Sequence, residues 1–149
     1  MRSPSEEVAL PDAQTVLRVV PMPANLNGNG DIFGGWVMSQ VDIAGGVLAH
    51  TIARGPTVTV AVNSFHFREP IAVSDVVSFY AKLVKIGRTS ITVDVEVYAT
   101  RMPFEQRPVT VKVTEATLTY VAIYPGGEKR HIPADAVPLS PFDHLHEMH

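Results

Sequence analysis

The sequence contains no cysteine. Disulfides, thiol nucleophiles and thiolate metal sites are therefore excluded, and the absence is compatible with a reducing compartment. Twelve Lys and Arg stand against 15 Asp and Glu, for a formal charge of −3, and no long basic run occurs. A broad phosphate-contacting face for nucleic acid is not expected. No window of about 18 uninterrupted apolar residues exists, so no membrane span is expected. "MRSPSEEVALPD" at the start is polar and proline-broken, without the apolar stretch that a secretory signal needs. No G-x-S-x-G occurs, which sets aside the serine nucleophile of the α/β-hydrolases.

What is present suits one packed domain. The 149 residues are 46% hydrophobic and 18% charged, enough for a core and unlike a disordered chain. "QTVLRVVPMP" (14–23) is β-branched and reads as a first strand. "NLNGNGDIF" follows as a loop, since Asn and Gly supply turn conformations. Gly34 to Ala53 reads as one helix, with Val37, Val41, Ala44, Leu48 and Ile52 at three- and four-residue spacing. Trp36, Met38, Ile43 and Val47 make its other sides apolar, which predicts a helix buried nearly all round. Strands are expected over 57–67, 76–87, 88–101 and 109–124. In the third of these, Ile91, Val93, Val95 and Val97 alternate with Thr92, Asp94, Glu96 and Tyr98. The order predicts an α+β domain with an antiparallel sheet. Either that sheet wraps the helix or a partner covers it. His144, His146 and His149 read as a solvated or weakly docked tail, because nothing fixes their geometry. His50 and His66 read as structural.

Two features carry chemistry. The first is Gly34–Gly35 at the helix start. The first amides of a helix lack internal acceptors and favour anions, and glycine does not shield them. A developing oxyanion could be held there; alternatively, the glycines only permit a tight turn. The second is Asp42, a carboxylate inside an apolar helix, with Gly45 and Gly46 one turn further on. Those glycines leave a gap for a substrate or for a partner helix. In the alternative reading, Asp42 simply faces water. Its pKa is expected to move upward, because burial disfavours the charged form. Eight residues separate Gly34 from Asp42, about 12 Å along a helix. One carbonyl cannot easily reach both, so two antiparallel helices from two subunits are expected to build each site.

"MPANLNGNGDIFGGWVMSQVDIAGG", then "TVTVAVNSFHF", "PIAVSDVV", "KIGRTS" and "VEVYATR", resembles the YciA-type acyl-CoA thioesterases of the hotdog superfamily. The resemblance runs from about residue 14 to 125. It implies a hotdog fold, a long central helix wrapped by a curved antiparallel β-sheet, over 13–125, with a tail at 1–12 and an extension at 126–149. It implies hydrolysis of acyl-CoA to a free acid and CoA. Asp42 matches the helix carboxylate that acts as base or nucleophile, and Gly34 or Gly35 the amide that polarises the thioester carbonyl. Asn27 matches a loop amide that positions water or the thioester. Asp31 either caps the helix or lines the site. Phe33 stands where other hotdog thioesterases carry His. Lys85, Arg88, Thr89 and Ser90 fall on the segment that contacts CoA, and Arg68 is a second phosphate candidate; an ordinary solvated turn is the alternative for "KIGRTS". The acyl group is expected between the helix and the strand near 62–67. The resemblance further implies a homodimer, a hexamer built as a trimer of dimers, a cytoplasmic setting, and no metal or redox cofactor. A non-catalytic acyl-CoA-binding module is the alternative; a hydratase lacks a suitable His near Asp42.

Overall fold

Ile91, Val93, Val95 and Val97 are fully buried on one face of a strand, as their alternation predicts. The strand belongs to a computed structural model that describes residues 6–136. The three tail histidines lie outside the described residues. In chain order the elements are β1 (Leu17–Val19), α1 (Gly34–Ala53), β2 (Thr57–Phe67), β3 (Val76–Ile86), β4 (Ser90–Arg101) and β5 (Val109–Ala122). One five-stranded antiparallel sheet has the order β1-β3-β4-β5-β2. Register shifts in the β2–β5, β3–β4 and β4–β5 pairings interrupt the ladder, and such bulges bend a sheet and increase its twist.

The helix runs Gly34–Ala53, the bounds that the sequence predicts. Its end has a local cause: Arg54 adopts a left-handed φ of 54°, donates its N–H to the His50 carbonyl, and is followed by Gly55 and Pro56. Val37, Val41, Ala44, Leu48, Ala49 and Ile52 are buried against the sheet. Truncating Leu48 to Ala would cost about 2–5 kcal/mol.

The expected all-round burial is not met within one protomer. Met38, Ile43 and Val47 are exposed, as are Val58, Val60 and Val62 on β2. The sheet covers one side of α1 only. Three-and-four spacing identifies the buried face correctly; apolar residues on the remaining faces of α1 do not find cover in this chain.

The first strand is also shorter than expected. It spans three residues and pairs with β3 alone. Pro21 and Pro23 have no N–H to extend a ladder, and Pro23–Asn25 forms a 3-10 turn instead. The Gly87–Thr89 turn takes up the expected ends of β3 and β4, and β5 stops at Ala122. Beyond it, residues 129–132 return along the sheet end: Arg130 N–H donates to the Ala122 carbonyl and Ile132 N–H to that of Arg88, which buries Ile132.

The β2–β3 connection is held by a buried acid. Asp75, 1% exposed, accepts the Ala72 N–H at 2.9 Å and lies 3.5 Å from Arg101 Nε. Arg101 in turn donates to the Pro70 carbonyl at 2.8 Å. Ile71 accepts the Ile32 N–H from the loop before α1, so this connection is tied to the helix start. We expect Asp75→Ala to lower stability by about 2–4 kcal/mol in equilibrium urea unfolding, because it strands an amide and a half-buried guanidinium. A loss under about 0.5 kcal/mol would show that the acid does not hold the loop.

Candidate active site

The loop 27–31 is built around the Asn27 side chain. Its Oδ1 accepts the Asn29 N–H at 2.8 Å and the Asp31 N–H at 3.1 Å. Both donors are main-chain amides, so chemistry requires the oxygen to face them and turns the NH2 the other way. The Asn27 backbone is fixed as well: its N–H donates to the Asp31 carbonyl and its carbonyl accepts from Gly30, whose φ is +81°.

This loop delivers the chain to the start of α1. Phe33 is the N-cap, with no side-chain capping bond and no acid in the first turn. Its carbonyl accepts Trp36 N–H and Val37 N–H. Among the described residues, neither the Gly34 N–H nor the Gly35 N–H has an acceptor. Asp31 is therefore not at the cap position. It lines the cleft described next.

A cleft of about 330 Å³ opens at this helix end, lined by Asn27, Asp31, Gly34 and Arg68 among others. The Phe67 ring closes over Gly34, where a Cβ would stand 3.1 Å from the ring tip; beside Gly35 the space is open. Arg68 pairs with Glu115. Hydrogen bonds from Lys112 and Arg68 pull the Glu115 carboxyl down to about 2, so this pair persists far into acid.

Asp42 is not part of the cleft. It is exposed, one face of α1 away, and two hydroxyls hold it. Thr59 Oγ1 donates to Oδ1 at 2.5 Å. The Tyr120 hydroxyl lies 2.8 Å from the Asp42 carbonyl and 3.2 Å from the same Oδ1. The gap inferred at Gly45 and Gly46 is real but already filled. A Cβ at Gly45 would collide with the Tyr120 hydroxyl and lie 3.1 Å from two ring carbons, and at Gly46 it would meet the ring at 3.6 Å. Gly45 thus admits a side chain of the same chain.

Lys85, Arg88, Thr89 and Ser90 do not line the cleft either. The Thr89 carbonyl accepts from Ala122, and the next residue, Ile123, donates to Pro56 just past the end of α1. Their turn therefore adjoins the C-terminal end of a 20-residue helix, about 30 Å long, whose other end holds the cleft. Among the described residues no cluster of His, Asp and Glu has the arrangement of a metal site, and no helix is long and apolar enough to cross a membrane.

Residues 29–103 match the thioesterase superfamily domain. The chain belongs to the thioesterase superfamily, in its YciA-type branch. The acyl-CoA thioester hydrolase YciA of Salmonella typhimurium is 49% identical over 83% of this chain and 92% of its own. A hexameric hotdog fold thioesterase of Campylobacter jejuni is 37% identical with a TM-score of 0.81, covering 83% of this chain and 93% of that one. A hexameric thioesterase from Yersinia pestis is 46% identical with a TM-score of 0.75, covering 84% and 99%. The hotdog architecture expected from the sequence is thus the one observed.

Sequence reading missed Thr59 and Tyr120. They are register partners on β2 and β5, and only that pairing brings both hydroxyls to one carboxylate. The signal available was the Gly45–Gly46 pair, which marks a close approach without saying by what.

Burial raises the Tyr120 hydroxyl above its ordinary 10, and the neighbouring Asp42 charge and hydrogen bond add to it. Burial and then the Glu96 hydrogen bond raise Tyr98 likewise. The folded state therefore keeps protons that the unfolded chain releases above about pH 10. This stability is fully present below pH 10 and drains as the pH climbs past it. In a spectrophotometric titration, Tyr98 and Tyr120 should ionise only together with alkaline unfolding. Ionisation of all four tyrosines near pH 10 in a folded protein would contradict this.

Proposed function

We propose that this protein hydrolyses acyl-CoA thioesters to a free acid and CoA, at sites shared between two subunits. The observation that carries the proposal is the division of the machinery. Bare amides and Asn27 stand at one end of α1, while the acid stands eight residues further on, outside that cleft. At about 1.5 Å per residue they are about 12 Å apart, too far for one carbonyl to touch both.

A twofold dimer with antiparallel helices resolves this. Each subunit's cleft then faces Asp42 of the partner subunit, and the partner's 85–90 turn approaches the same end. The uncovered residues support such a dimer. Ile43 and Val47 on α1, with Val58, Val60 and Val62 on β2, leave an apolar face and an unpaired sheet edge, which is a liability unless covered. The hexameric state of the two solved relatives supports a trimer of such dimers.

The thioester carbonyl accepts the Gly34 or Gly35 N–H, which stabilises the oxyanion as it forms. The NH2 of Asn27 faces away from its own loop and is available to hold water or the thioester. Asp42 takes the proton of the attacking water, or attacks the carbonyl carbon itself to give an anhydride that water then opens. In both routes the C–S bond breaks, the thiolate leaves as CoA, and the acid departs. Oxygen-18 incorporation under single turnover separates the two. The acyl chain lies between the exposed side of α1 and the end of β2. The cations Lys85 and Arg88, with Thr89, Ser90 and Arg68, answer the CoA phosphates. Water and the thioester suffice, so no cofactor enters. A cytoplasmic setting belongs to the same proposal.

The test is thiol release from a panel of acyl-CoAs. Asp42→Ala should lower the rate by at least about a hundredfold with CoA binding retained. Activity that survives the substitution would reject the role of the acid. A wild type that binds CoA without turnover would make this a binding module instead.

A further inference from the structure

Asp42 has two acceptor oxygens, and the protomer uses them unequally. Thr59 and Tyr120 both reach Oδ1. Among the described residues, no donor reaches Oδ2 and no ion pair includes Asp42. One oxygen is held and the other is left open. Tyr120 is the buried half of this clamp, only 2% exposed. Its hydroxyl passes through the space that Gly45 leaves in the helix surface, since any Cβ there would collide with it. A glycine inside a helix costs about 1 kcal/mol relative to Ala, and at Gly45 that cost admits the Tyr120 hydroxyl and the ring edge behind it.

We propose that Tyr120 is a positioning residue for the reaction: its hydroxyl, entering through the notch at Gly45, pins Oδ1 of Asp42 so that Oδ2 is presented to the reacting centre. The proposal rests on the hydrolytic role given to Asp42 above. Tyr120 touches the carboxylate and not the substrate. It works by removing side-chain freedom that the acid would otherwise have on an exposed helix face. A positioned group is worth orders of magnitude over one that must find its geometry. Burial keeps the phenol protonated through neutral and mildly alkaline pH, so the hydroxyl remains a donor over that range.

A competing role is satisfaction of the main chain alone. The hydroxyl has one hydrogen and two acceptors, the Asp42 carbonyl and Oδ1. If only the carbonyl mattered, losing the hydroxyl would lower stability and leave turnover unchanged. Tyr120→Phe separates the two, since it keeps the ring that fills the notch.

In the intact oligomer, Tyr120→Phe should lower kcat about tenfold or more with KM for acyl-CoA within about twofold. That is the loss expected for a hydrogen bond to a charged group. Gly45→Ala, which fills the notch and displaces the hydroxyl, should lower kcat in the same way. In a Tyr120→Phe background the added alanine should cost at least about threefold less in kcat than in wild type, because the two changes remove one contact. Unchanged kcat in Tyr120→Phe, with only Tm lowered, would overturn the positioning role. So would independent, multiplying effects of the two substitutions. A wild type that releases no thiol would instead remove the hydrolytic reading itself.

Discussion

The rise of an α-helix governs this molecule. Eight residues separate the first amide of α1 from Asp42, and no side-chain rotamer closes about 12 Å. The donors for an oxyanion and the acid that would act with them are fixed to one rigid rod, at positions that one reacting carbon cannot share. Covering the helix with sheet on both sides would bury the acid uselessly. Here the sheet covers only one side, leaving Asp42 on an open face beside an unpaired edge strand. In the proposed dimer, the uncovered face of the protomer and the division of its site between subunits have the same cause.

In the proposed reaction, stability and chemistry are divided between the two faces of α1. The buried face is aliphatic and continuous with Ile91, Val93, Val95 and Val97 of β4. Near Asp42 that packing is interrupted by Gly45, whose missing Cβ lets a strand residue reach the helix from below. The sheet therefore supplies the hydroxyls that hold the acid, and it does so from β2 and β5, adjacent strands at the edge where a second copy would dock. At the other end of α1, Asn27 spends its oxygen on two loop amides, which keeps the loop in shape while leaving the Gly34 and Gly35 amides uncapped. A helix start without a side-chain cap gives up about 1 kcal/mol of stability, a usual concession where amides are wanted for a ligand.

The helix was legible because both of its ends are written locally: Gly34–Gly35 after a turn-rich loop, and Gly55–Pro56 after the last apolar repeat. The alternation in β4 was legible for the same reason. The first strand is shorter than "TVLRVV" suggests, because the prolines that follow it cannot extend the ladder and it pairs with β3 alone. Asp42 was visible as a misplaced charge, but its surroundings were not. The contact between Tyr120 and Gly45 joins residues 75 apart on β5 and α1, and the β2–β5 register beside it slips twice. No local pattern encodes such a slip. Gly45 and Gly46 accordingly read as empty space, when the occupant was further down the same chain. The cation candidates divided similarly: Arg68 reached the cleft, whereas the 85–90 turn lies by the opposite end of α1.

The most direct measurement uses two kinds of defective subunit expressed together. One carries Asp42→Ala. The other keeps the acid but has its cleft disabled by Asn27→Ala and Gly34→Pro, the proline deleting an amide at a helix position that tolerates it, after a Phe33 whose ψ of 136° suits a following proline. Each kind alone should be inactive towards acyl-CoA. If the sites are shared, random pairing makes about half of the dimers mixed, each with one intact site, and restores about a quarter of wild-type thiol release. A mixture no more active than its separate components would place the whole reaction within one subunit and contradict the account.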